Sequence, residues 1–81
     1  MGNQDIKADE TLDAFGLLCP IPIHLTDKRI REMKPGAILE VISDDDGIVK
    51  DMPAWCKSTG HKILSYKADS GLHKFYIRKQ S

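Results

Sequence analysis

Apolar residues recur along this chain with two different periods, and each change of period marks an element boundary. Leu12 and Ala14 alternate with polar neighbours, which predicts a short strand over 11–15 that Gly16 breaks. Ile23, Thr26, Ile30 and Met33 then recur at helical spacing, with Asp27, Lys28, Arg31 and Glu32 left for solvent, so 20–33 reads as an amphipathic helix. Lys34-Pro35-Gly36 stops it, and 37–43, rich in Ile, Leu and Val, is a strand. Asp44-Asp45-Asp46-Gly47 is a turn before a second helical pattern, with Ile48, Met52, Trp55 and Cys56 on one face. Pro53 excludes a backbone bond to Val49, so this segment is expected either to kink or to restart as a helix near Pro53. Gly60 is placed to end it, and 62–68 and 72–79 are strands joined by Asp69-Ser70-Gly71.

The order is therefore βαβαββ. The first strand, helix and second strand form a unit whose default crossover is right-handed, with the two strands parallel. The expected fold class is α/β (α+β), a two-layer sandwich with two helices on one face of a four-stranded mixed sheet. Its core would hold Leu12, Ile23, Ile30, Met33, Leu39, Val41, Met52, Ile63, Phe75 and Ile77. Residues 1–10 lack a clear period and are expected to form a flexible tail, with a single domain over 11–81.

Composition narrows the function. A chain of 81 residues has a limited core, so its chemistry is expected at the surface rather than in an enclosed cavity. Twelve basic residues balance twelve acidic ones, which removes any overall drive toward nucleic acid or an anionic membrane, and aromatics are too few for a base-stacking platform. No apolar run is long enough to span a bilayer, and the first residues lack the regions of a signal peptide, so the expected location is the cytoplasm, with Cys19 and Cys56 as free thiols.

The chemistry centres on Cys19-Pro20-Ile21-Pro22, where a strand-like stretch gives way to a helix. Proline suits the first helical position, which would put Cys19 at the N-cap, where unpaired amides and the helix dipole favour thiolate over thiol. Pro20 and Pro22 would fix the backbone and present the sulfur at a defined surface point. The alternative is an ordinary buried cysteine before a helix start.

These residues resemble the TusA/SirA family of small sulfur-carrier proteins, whose first helix opens with Cys-Pro-x-Pro. The likeness extends from Leu12-Asp13-Ala14-Phe15-Gly16-Leu17-Leu18 into the motif, through Met33-Lys34-Pro35-Gly36, to Asp51-Met52-Pro53 and Gly60-His61. The resemblance implies a persulfide relay. Cys19 would accept sulfur from a cysteine desulfurase or rhodanese-like donor and pass it to an acceptor sulfurtransferase of the DsrE-like kind, in tRNA thiolation or sulfur metabolism. Phe15 and Leu18 stand where members often carry arginine, and Ile21 where glutamate is frequent, so the motif's surroundings are unusually apolar.

Asp13 either hydrogen-bonds near the motif or ends a strand, and Gly16 supplies the turn. His24 is a candidate for proton transfer or simply a solvated side chain. Cys56 is read as core packing, with a resolving thiol as the alternative. Cys19, Cys56, His24, His61 and His73 match no compact zinc spacing, and neither a metal nor another cofactor is expected. The basic stretch Lys28, Arg29, Arg31 and Lys34 would meet acidic partners or face solvent. The leading expectation is a monomeric sulfurtransferase-type persulfide carrier. A noncatalytic regulatory protein-interaction module is the alternative, and a dithiol redox protein is a third reading.

Overall fold

A computed structural model describes residues 7–80. The order is β1 (Glu10–Asp13), α1 (Ile21–Arg31), β2 (Ile38–Ser43), α2 (Ile48–Thr59), β3 (Lys62–Asp69) and β4 (Leu72–Arg78). The four strands form one mixed sheet, as expected, in the order β1-β2-β4-β3. β1 runs parallel to β2, with Leu12 opposite Val41 and Asp13 opposite Ile42, and the other two pairings are antiparallel. β3 and β4 are joined by Ser70-Gly71, both with positive φ, which suits the right-handed twist of a two-residue hairpin.

Along β2 the burial alternates strictly, with Leu39, Val41 and Ser43 buried and Ile38, Glu40 and Ile42 partly exposed. β4 repeats the pattern with His73, Phe75 and Ile77. This period of two gives the sheet one covered face. Ile30 and Met33 from the first helical segment and Ile48, Met52 and Cys56 from α2 complete a single core. A fully buried Leu39 or Ile77 contributes about 2 kcal/mol through the apolar area it removes from water. Of the core predicted from periodicity, Ile23 and Ile63 are only partly buried against it, whereas Ile48 and Cys56 lie inside.

Two boundaries depart from expectation, and of the two readings of α2 the restart near Pro53 is excluded. α1 begins at Ile21, so Pro20 rather than Cys19 occupies the N-cap, and Pro22 falls within the first turn. Its far end is closed from β4's side, where the Lys79 ammonium donates to the Met33 carbonyl at 2.6 Å and the Arg31 carbonyl at 3.3 Å. α2 runs unbroken through Pro53. Pro53 sits early in the helix, and the one carbonyl it leaves unpaired belongs to Val49, an exposed residue whose backbone water can serve. The tail expected over 1–10 falls largely on residues 1–6, outside the described residues. Asp9 already joins the sheet edge, donating its amide to the Ile38 carbonyl at 2.8 Å and accepting the Ile38 amide on its carboxylate at 2.7 Å.

Candidate functional site around Cys19

Parallel pairing of β1 with β2 brings their carboxyl ends side by side, and the chain leaves both strands at the same edge. The loop 14–20, leading into α1, and the loop 44–47, leading into α2, therefore meet there. In open sheets containing parallel strands this edge is where functional residues gather, because loops and helix starts converge on it. The ladder continues one residue past β1, where Ala14 N donates to the Ile42 carbonyl at 2.7 Å.

Each loop is held by side chains of its own or of the other. Asp13, the last residue of β1, accepts the Phe15 amide at 3.0 Å, so it both ends the strand and closes the turn after it. Gly16 follows with φ +84°, a conformation in which a side chain would be strained. Its amide donates to Asp44 Oδ1 at 2.8 Å. The Cys19 amide donates to Asp45 Oδ2 at 3.0 Å. Asp46 Oδ1 meets His73 Nε2 at 2.9 Å, and Tyr66 Oη meets His73 Nδ1 at 2.7 Å. A carboxylate only accepts, so Nε2 carries the hydrogen and, in that tautomer, Nδ1 accepts from the tyrosine hydroxyl. Finally, Asp45 N donates to the Oγ of buried Ser43 at 3.1 Å.

Three successive aspartates thus hold three different partners: the Gly16 turn, the cysteine backbone and the buried histidine of β4. Local pattern shows them only as a turn. Their partners lie 26 to 28 residues away, where no local period could reveal them. The available signal was composition, since a turn does not require three consecutive acids. Gly47 provides room, because a β-carbon there would lie 3.1 Å from Asp45 Oδ2 and 3.7 Å from Cys19 Cβ.

The sulfur's electrostatics reverse the expected thiolate. The Cys19 thiol is pushed up to about 12, first by desolvation, then by its hydrogen bond to Asp45 and that carboxylate's charge, with Asp51 adding both effects more weakly. Asp45 is correspondingly held below the usual carboxylate range, chiefly by the Cys19 amide and then its thiol. Two anions at the sulfur outweigh the start of α1, where the N-cap position already belongs to Pro20. The resting group is a thiol. It remains partly exposed, and the Cys19–Pro20 peptide bond is cis.

Pro20 is exposed, and its carbonyl accepts the Ile23 and His24 amides at 3.0 and 3.1 Å. Pro22 is buried, and its carbonyl accepts the Thr26 hydroxyl at 2.7 Å, which satisfies a buried polar group. His24 is exposed and makes no side-chain hydrogen bond among the described residues, while the carboxylates that reach the sulfur are Asp45 and Asp51. Cys56 is a free thiol in the core beside Met52, pushed up to about 11 by burial. Of the basic stretch, Arg29 pairs with Glu10 at 3.2 Å and Arg31 with Asp27 at 3.0 Å, leaving Lys28 and Lys34 exposed.

Exposed apolar side chains lie on the segments that flank the cysteine. Phe15, Leu18, Ile21 and Val49 are 63, 69, 47 and 43% exposed, and the first three lie within four residues of Cys19. Val49 lies two residues past Gly47, which packs beside it. Large exposed apolar groups gathered at one edge mark an interaction surface.

Comparison with known proteins agrees with this architecture. The family described as Sulfurtransferase TusA matches residues 10–79. A putative sulfur carrier protein of Bacillus subtilis, YrkI, is 45% identical over 74 residues, covering 91% of this chain and 99% of that protein. A second from the same organism, YrkF, is 43% identical over 74 residues, but this chain spans only 40% of its length. The sulfur carrier protein TusA of Pseudomonas entomophila is 38% identical over 77 residues, covering 95% of this chain and 96% of that one. Among solved structures, a SirA-like protein from Desulfitobacterium hafniense superposes with a TM-score of 0.77 at 26% identity, over 89% of this chain and 99% of its own. With the matched region running from the start of β1 to the end of β4 and the fold shared, the chain belongs to the TusA/SirA family.

Proposed function

We propose that this protein is a sulfur carrier that works through a persulfide on Cys19. A cysteine desulfurase or rhodanese-like protein supplies the sulfane sulfur, and an acceptor sulfurtransferase, of the DsrE-like kind, removes it. The observation that carries this reading is a free, partly exposed cysteine, fixed through its own amide at a surface edge whose loops carry exposed apolar side chains. A carrier must present one sulfur to more than one partner, and such an edge lets each partner close over it. The names of the sulfur-carrier relatives support the same role.

The resting thiol has a chemical consequence. Sulfur transfer needs a thiolate nucleophile, and a thiol pushed up to about 12 is almost wholly protonated at neutral pH. The free protein is therefore protected from casual oxidation and alkylation, and it becomes a nucleophile when a partner offsets the carboxylates. Asp13, Gly16, Pro20 and Pro22 hold the loop, and His24 is left as an accessory group on α1. The working form is a cytoplasmic monomer, serving tRNA thiolation or sulfur metabolism.

The test is loading with radiolabelled sulfur. Incubation with a cysteine desulfurase and labelled cysteine should attach label that a reductant releases and that Cys19→Ser does not acquire. Label equally present on Cys19→Ser would remove Cys19 from the role. The protonated thiol also favours a second reading, a noncatalytic interaction module that uses the apolar edge alone. That reading requires Cys19→Ser to retain full biological activity.

A further inference from the structure

Selectivity among sulfur donors presupposes that Cys19 bears the sulfur, and so rests on the function proposed above. The carboxylates acting on the sulfur are Asp45, in the loop before α2, and Asp51, in the first turn of that helix. Asp45 cannot readily swing aside, because its carboxylate holds the Cys19 amide at 3.0 Å and its own amide is bonded to buried Ser43 at 3.1 Å. Its neighbours in the loop are anchored too, Asp44 on Gly16 and Asp46 on His73. The negative charge is a fixed part of the edge.

Phe15, Leu18, Ile21 and Val49, carried by the same loops and the helix starts they lead into, are all exposed. A partner that covers these side chains removes water from the edge, and every charge interaction there strengthens as the local dielectric falls. An anionic reactant approaching the sulfur is repelled. A donor that brings a cation is attracted, and the same cation offsets the carboxylates that hold the thiol protonated.

We propose that Asp45 and Asp51 make Cys19 selective for the charge of its sulfur donor: it takes sulfur from a protein persulfide presented beside a cationic side chain and rejects free anionic species such as thiosulfate and polysulfide. In the favoured step the Cys19 thiolate attacks the outer sulfur of the donor R–S–SH. A new S–S bond forms at Cys19 as the donor's S–S bond breaks. The R–S⁻ that leaves takes up the proton shed by the Cys19 thiol, and no oxidant or reductant is consumed. The donor's cation belongs next to Asp45, whose carboxylate is fixed beside Cys19.

Two thiosulfonates with the same leaving group and opposite charge test this without any partner protein. The thiolate displaces methanesulfinate from each, forming a mixed disulfide, so the ratio of the two rates cancels the fraction of thiolate. Rates at Cys19 are followed by mass mapping with 2-(trimethylammonio)ethyl and 2-sulfonatoethyl methanethiosulfonate, with 2-mercaptoethanol as the uncharged reference thiol. At low ionic strength the cation-to-anion ratio for the wild type should exceed the reference ratio at least about tenfold, chiefly from the Asp45 carboxylate fixed beside the cysteine. It should fall toward the reference in Asp45→Asn and Asp51→Asn, and also in the wild type at ~1 M salt, where the screening length shrinks to about 3 Å. A wild-type ratio within about twofold of the reference, or one that neither variant nor salt alters, would overturn the proposal. The salt arm keeps the test decisive if a variant does not fold. Thiosulfonates require no carrier chemistry, so this result is independent of the labelled-sulfur experiment, which alone decides whether Cys19 carries sulfur.

Discussion

At the scale of single residues, the chemistry is set by Asp45. Its carboxylate accepts the Cys19 amide at 3.0 Å, which fixes the cysteine and sets a negative charge beside it that opposes ionisation of the thiol. Asp45→Asn keeps an acceptor for the amide but removes the charge. The apparent pKa for alkylation of Cys19 by iodoacetamide should therefore fall part of the way from about 12, since desolvation, the largest cause, remains. An unchanged pH–rate profile would mean that Asp45 does not act on the thiol. The same group links folding to pH. The Cys19 thiol is raised from 9.0 to about 12 on folding, so its stabilising contribution is complete below pH 9 and is lost as pH rises through 12. Urea unfolding of a Cys56→Ala background, in which the second raised thiol is absent, should show stability declining across that window, and declining less with Asp45→Asn added. His73 belongs at this scale as well. Replacing it with phenylalanine leaves Asp46 and Tyr66 without their shared partner, and should lower unfolding stability by about 1–3 kcal/mol.

At the scale of elements, two loops at one end of a parallel strand pair make the site, and the strain within them is small and local. Gly16 holds φ +84°, so Gly16→Ala should destabilise by about 1 kcal/mol, measurable as a lowered urea midpoint. α2 offers the opposite case. Pro53 interrupts its hydrogen bonding once, at Val49, and Pro53→Ala restores that donor in an exposed position, which should raise the unfolding free energy by about 1 kcal/mol or more. Destabilisation would mean that the proline ring itself packs usefully. These elements also show what a sequence can disclose. Periodicity located every strand and helix, because Leu39, Val41, Phe75 and Ile77 alternate and Thr26, Ile30 and Met33 recur as the buried faces require. Cys19 and its prolines were legible from local chemistry alone. The protonation of that cysteine was not, because it depends first on desolvation and then on Asp45 and Asp51, which only the pairing of β1 with β2 brings across. Pro20's N-cap position was likewise beyond a rule that treats each proline by its neighbours alone.

At the scale of the whole molecule, the features fit a small protein that works by presentation. The core is one cluster between helices and sheet, and it contains Cys56, while Cys19 stands at the rim with the exposed apolar side chains. The two thiols therefore sit in separate surroundings. Cys56→Ala removes one buried sulfur, so it should cost about 1 kcal/mol of stability while leaving sulfur loading unchanged. The family to which the chain belongs, and the sulfur-carrier relatives that match nearly its whole length, agree with a role in which the fold's task is to hold one atom. That role is tested most directly by intact mass after incubation with a cysteine desulfurase and cysteine, comparing wild type, Cys19→Ser and Cys56→Ala. The account predicts a gain of one sulfur atom, reversed by a reductant, in the wild type and in Cys56→Ala but not in Cys19→Ser. A gain that persists in Cys19→Ser, or its absence from the wild type with this donor and with a rhodanese supplied with thiosulfate, would contradict it.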